Sequence, residues 1–196
     1  MFRLIECNTK MNPSSREEIA IVLDFLPNGY PSDTRPAHMK TAVAQAIGSE
    51  HFILLELIPK KEVFLKPEQE VYMGEGKRDE IHHIGGRINF FKLTQTARMN
   101  LEDLLKKLVH KYEARFLQFF NNAGPINARR HQLELIPGIG KKHMWEILEQ
   151  REEKQFESFE DMRARVKLMP DPENAIMKRI LLELNEEDKH RLFIGN

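Results

Sequence analysis

The residue types best suited to chemistry gather in one stretch, "LELIPGIGKKHMWEIL" (residues 133–148), and in two arginines just before it. Gly138 and Gly140 bracket Ile139, and Lys141 and Lys142 stand where the apolar pattern predicts a new helix. Lysine opposes the positive N-terminal end of a helix dipole, unless an anion sits there. Glycines in a sharp turn adopt positive φ and bare the backbone, so successive N–H groups face outward toward such an anion. Between Asn127 and His143 the cations Arg129, Arg130, Lys141 and Lys142 face one acid, Glu134. The chemistry expected is phosphate binding, with His131 and His143 adding charge at lower pH. Ile139 is expected to turn inward and plug the space between the helices, which leaves those N–H groups outside; the alternative is a turn that only joins two helices or serves packing.

These cations need elements to carry them, and the sequence changes character near Thr96. Before it, short apolar and β-branched runs alternate with turn residues. Strands are expected over residues 19–26, 41–48, 51–59, 70–76, 79–85 and 87–93, with a loop at 31–36. After it, helical spacing dominates. Asn100 with Asp103 reads as an N-cap for a helix striped by Leu101, Leu104, Leu105, Leu108, Tyr112, Phe116, Phe119 and Phe120. "NNAGP" stops it. A shorter helix is expected from about Ile126 to Leu135 and another from Lys141 to about Arg151. Ser158 with Asp161 caps the next, and Asp171 followed by Pro172 opens the last. The fold class expected is α+β in two domains: a small oligonucleotide-binding-like (OB-like) β-barrel over residues 1–96 and an all-α domain over 97–196.

Composition bounds the partners. The chain carries 30 basic and 30 acidic residues, so any nucleic-acid contact must come from a local patch. A single cysteine, Cys7, excludes an intrachain disulfide framework and a multi-thiolate zinc site. No apolar run reaches the ~20 residues of a membrane span, and the N-terminus lacks a signal-peptide pattern. A cytoplasmic, non-membrane protein is expected.

Other constellations offer less. "GEGKRDE" (residues 74–80) has one residue between its glycines where a Walker loop has four, and reads as a turn. His82 and His83 are neighbours on an expected strand, where side chains alternate faces, so no metal site is expected. Lys77, Arg78, Arg87 and Lys92 with Phe90 and Phe91 read either as a charge-and-stacking surface or as core plus solvated charge. Met144 and Trp145 read as packing, with base stacking by Trp145 the alternative. No nucleophile elbow, HExxH or kinase set occurs. Neither enzyme activity nor a cofactor is expected.

Ile136, Pro137, Gly138, Ile139, Gly140 and Lys141 resemble the helix-hairpin-helix motif, apolar–Pro–Gly–apolar–Gly–basic. The resemblance implies that the amides of Gly138, Ile139 and Gly140, with Lys141 and Lys142, hold a nucleic-acid phosphate, with Arg129 and Arg130 nearby. "FESFEDM" (residues 156–162) is similar to the linker between paired hairpins, and "KLMPDPEN" (167–174) falls where the second would lie. Lacking glycine and carrying Asp171 and Glu173, that unit is expected to keep its packing and to have lost its grip. Asp161 stands near the spacing of a base-excision glycosylase's catalytic aspartate, but inside the capping box.

Over nearly the whole length, "IVLDFLPNG", "VYMGEGKRDEIHHIGGRI", "RFLQFFNNAGPI" and "LELIPGIGKKHMWEILE" resemble the archaeal domain-of-unknown-function 655 family, described as predicted RNA-binding. The function expected is non-enzymatic binding of the sugar-phosphate backbone of RNA or DNA. The alternative is a protein–protein interaction module in a ribonucleoprotein or repair assembly.

Overall fold

Residues 17–195 are described in the computed structural model; Cys7 and the start of the expected first domain lie outside them. Strands β1 (Ile19–Leu26), β2 (Val43–Gly48), β3 (Leu54–Pro59), β4 (Glu70–Tyr72) and β5 (Ile81–Arg87) form one antiparallel sheet in the order β4-β1-β2-β3-β5. It curls into a half-barrel. Alternation along the strands gives it two apolar faces. Ala20, Val22, Ala44, Ala46, Leu57, Val71 and Ile81 fill the inside of the curl, where three alanines let the strands approach. Ile21, Leu23, Ile47, Phe52 and Leu54 face outward beneath the helices.

Those five share one core with Leu101, Leu105, Phe116, Phe120, Ile139 and Ile147, so the apolar interior runs across residue 96. Each such side chain contributes about 1.5–3 kcal/mol by leaving water. The helices are α1 (Gln95–Lys111), α2 (Glu113–Asn122), α3 (Lys141–Glu153), α4 (Phe159–Arg165) and α5 (Pro172–Leu184).

Local chemistry corrects several expectations. Residues 87–93 are not a strand: β5 ends at Arg87, and Phe90–Lys92 form a 3-10 turn whose Lys92 amide donates to the Asn89 side chain. Asn100 does not cap α1. Thr94 does, its Oγ1 accepting from the Ala97 amide at 3.0 Å. Asn100 instead donates to the Leu23 carbonyl at 2.7 Å, where a β-bulge between Val22 and Asp24 takes Leu23 out of the ladder. The long aromatic stripe breaks at Tyr112 (φ −106°, ψ 30°).

The short helix expected from Ile126 to Leu135 is also overturned. Residues Pro125–Asn127 (β6) and Arg130–His131 (β7) pair as a small hairpin, and only Gln132–Leu135 turn, as 3-10. The Asn127 side chain accepts from the Arg129 amide at 2.9 Å, a local turn that competes with helix. The later caps are as expected: Ser158 Oγ accepts from the Asp161 amide at 3.0 Å, and Asp171 from the Asn174 amide at 3.1 Å.

A buried pair fastens residues 192–194. Glu183, 1% exposed, accepts from Arg179 Nε at 2.7 Å and from the amides of Leu192, Phe193 and Ile194 at 2.8, 3.0 and 3.1 Å. Without Glu183, Arg179 keeps only the Asp188 carboxylate at 2.9 Å, and the amides of Leu192, Phe193 and Ile194 lose their acceptor. Glu183→Ala is therefore expected to cost about 3–5 kcal/mol in equilibrium urea unfolding, a loss no solvated charge on α5 would produce.

Candidate functional site

Gly140 is the N-cap of α3 at φ −90° and ψ −178°, and no side chain caps the 13-residue helix. Lacking a Cβ, it leaves the amides of the first turn open to solvent. A Cβ there would meet nothing within 4 Å, so no steric demand explains this glycine. Gly138 differs. Its φ is +87°, the left-handed region, and a Cβ would lie 3.3 Å from Pro170. The first hairpin thus leans on the segment expected to be the degenerate second one, where Leu168 holds φ +54° and is 87% exposed.

Ile139 is 4% exposed and plugs the core as expected, but its amide donates to the Ile136 carbonyl at 3.0 Å. The outward donors are therefore those of Gly140 and the first turn of α3. His143 Nδ1 lies 3.2 Å from the Gly138 carbonyl. A carbonyl only accepts, so that nitrogen carries the hydrogen and steadies the turn.

The β6–β7 hairpin brings Arg129 and Arg130 opposite α3 across a groove of about 490 Å³. Lys141, Met144, Trp145 and Leu148 line its helical wall, at the i, i+3, i+4, i+7 spacing of one helix face. Lys142, one position around the helix, lies outside the lining, as do the hairpin glycines. Among the described residues, none of Arg129, Arg130, Lys141 and Lys142 makes an ion pair, and all four are exposed. Glu134 is the one acid in the groove, and its Oε2 is held by the His131 amide at 2.8 Å.

Trp145 corrects the packing expectation: Met144 is buried, while Trp145 is 65% exposed. The signal was its position one turn beyond Lys141. His131 corrects another. It is 9% exposed, and its Nδ1 accepts from the Leu133 amide at 3.1 Å. Burial, then the nearby Arg151 charge, hold its pKa below the usual imidazole value, so it resists the charge expected of it.

The remaining cations are dispersed. Lys92 pairs with Glu56 at 2.7 Å and lies over the Tyr30 ring, while Arg78 Nε donates to the Gly74 carbonyl at 3.0 Å. Arg78 and Arg87 line a separate cavity with Glu17, Glu18 and Glu75. Phe91 is 72% exposed, whereas Phe90 packs on the core under Arg98. His82 and His83 do not point apart. His82 is the unpaired residue of a bulge between Ile58 and Pro59, and their Nδ1 atoms lie 2.8 Å apart. Among the described residues no three His, Cys, Asp or Glu side chains converge as metal ligands, and no helix is long and apolar enough to cross a membrane. Asp161 is engaged by Arg165 at 3.1 Å and by the Glu157 amide at 3.2 Å.

Fold and groove together define a mixed α+β protein: a curled antiparallel sheet beneath helices that present one cationic hairpin. The chain belongs to the family described as "Protein of unknown function (DUF655)", whose model matches residues 16–195. It is 42% identical over 187 residues to "Uncharacterized protein MJ0038" of Methanocaldococcus jannaschii, covering 94% of this chain and 83% of that one. It is also similar to the crystal structure of Af1531 from Archaeoglobus fulgidus, with a TM-score of 0.84 and 40% identity over 91% of this chain and 100% of that one.

The depressed pKa of His131 fixes the sign of a pH effect. Below the unfolded value of about 6.5 the unfolded chain takes up the proton first, so this histidine's contribution to stability falls as pH drops from there toward its folded pKa. His131→Asn keeps a side-chain acceptor for the Leu133 amide. Urea unfolding from pH 7.5 to 5 is expected to show a shallower loss in the variant than in the wild type.

Proposed function

We propose that the protein is a non-enzymatic nucleic-acid-binding protein of the cytoplasm that grips sugar-phosphate backbone at the start of α3. In this reading the chain is an OB-like barrel (1–96) followed by a helix-hairpin-helix domain (97–196). The hairpin at 136–140 holds phosphate, and the unit at 167–174 supports it. The observation that carries the reading is the uncapped helix start at Gly140, with Lys141 and Lys142 beside it and, among the described residues, no carboxylate bound to either. Four first-turn amides and two ammonium groups form an anion site without a resident anion from the protein itself. Arg129 and Arg130 extend the positive surface along the adjoining groove. Contacts to phosphate position a chain without reading its bases, so weak sequence preference follows.

A second reading, a protein-interaction module, rests on the exposed apolar side chains of Leu168, Phe91 and Met99, which are 87%, 72% and 66% exposed. The salt response separates the two. Log affinity for labelled RNA and DNA is expected to fall with log salt by about 0.7 per phosphate contacted for single strands and about 0.9 for duplex. Lys141→Glu/Lys142→Glu flattens that slope. Gly140→Asp places a carboxylate where the phosphate would sit, in backbone geometry suited to an N-cap. Its melting temperature is expected to hold or rise while affinity drops. Salt-independent or absent binding, or full affinity in both variants, would overturn the phosphate reading and favour the protein partner.

A further inference from the structure

We infer that the groove beside α3 receives a single-stranded polynucleotide, with one unpaired base laid on the Trp145 indole. This rests on the phosphate reading above and names the form of nucleic acid that the same site takes. Trp145 is 65% exposed on a helix whose adjacent Met144 is buried, so an apolar ring is held in water beside cations that have no acidic partners among the described residues. The chemistry that matches both is an anionic chain bearing flat, weakly hydrated faces. A duplex offers charge but hides its base faces in the stack, whereas a single strand offers both.

The spacing agrees. Trp145 lies four residues after Lys141 on the same helix face, about 6 Å along the axis. A phosphate at the helix start and a base on the indole then belong to one short stretch of strand. Arg129 and Arg130 stand on the opposite wall, where the backbone of the next nucleotides would run. The groove's volume, about 490 Å³, falls within the range of pockets that enclose small organic groups. Glu134, the one acid there, has Oε2 committed to the His131 amide. Its carboxylate repels phosphate from that corner and is matched by a base amino group or a sugar hydroxyl, which donate.

Trp145 is the chain's single tryptophan, so its emission reports on the site alone. The test titrates the full-length protein with ten-nucleotide single strands of RNA and of DNA, the same sequences as duplexes, and an abasic DNA strand. Both single strands are expected to bind and to quench emission, because stacking is indifferent to the sugar. Trp145→Ala is expected to weaken them about 5- to 150-fold, with Trp145→Phe recovering part. The salt slope stays unchanged in Trp145→Ala, because no phosphate contact is lost, and the abasic strand binds wild type and Trp145→Ala alike. The exposed ring contributes little to folding, so the variant's melting temperature serves as the check that it is intact. Duplex binding as tight as single-strand binding without quenching would overturn the proposal. So would equal single-strand affinity in Trp145→Ala, even where the lysine variant flattens the slope and the phosphate reading stands. Absence of any salt-dependent binding would remove both readings together.

Discussion

Gln45 lies in the middle of β2 with none of its surface exposed, and a buried carboxamide must satisfy its acceptor and its donors. Its Oε1 accepts from the Thr94 amide at 2.9 Å, and its Nε2 donates to the Lys92 carbonyl at 2.9 Å and to the Tyr30 hydroxyl at 3.2 Å. The centre of the sheet thereby fixes the residues just ahead of α1. Thr94 adds a second tie, its hydroxyl donating to Asp24 at 2.6 Å. Burial raises the Tyr30 pKa to about 12, so its phenol stays protonated at any physiological pH and keeps donating to Glu56. With its entry point set, α1 lies along the sheet's outer face, α2 and α5 pack against α1, and α4 packs against α5.

The hairpin inherits its position from that frame. Arg179, 1% exposed in α5, donates to the Leu135 carbonyl at 3.1 Å, immediately before Ile136 enters the turn. Ile139 sinks into the shared core, and Gly138 rests on Pro170. Three sides of the turn are therefore committed inward, leaving the α3 amides and the two lysines as the part that faces solvent. A rigid turn of this kind presents donors whose directions are set before any ligand arrives, which lowers the ordering cost of binding.

Much of this was legible in the residues. The apolar, β-branched run at 19–26 emerged as β1 with the same bounds, and Ser158, Asp171 and Pro172 open their helices where cap chemistry places them. Lys141 begins α3, and the likeness carried by four stretches across nearly the whole length led to the right family. What failed depended on partners far along the chain. Asn100 looks like a cap until the bulge at Leu23 supplies a carbonyl for it, and Thr94 takes its role because Gln45 and Asp24 hold it. Residues 125–131 lack strong periodicity, and a side-chain turn at Asn127 decided for a hairpin over a helix. That hairpin forms one wall of the groove, so the placement of Arg129 and Arg130 was hidden with it. Trp145 was read as core because its type favours burial, while its neighbour Met144 filled the available space.

The clamp at Glu183 bears on the order in which the molecule is assembled. It gathers the amides of residues 192–194, seats Phe193 against Phe116 and Phe119, and lets the Gly195 amide reach the His51 carbonyl at 2.9 Å. The turn between β2 and β3 is thus finished by a segment synthesised long after it. Contacts of such sequence separation close a large loop and form late, at an entropic cost borne before they give any return. During synthesis the aromatic end of the core therefore stays open to water until residue 195 has left the ribosome. Until residues 192–195 have been made, that apolar surface is open to premature association.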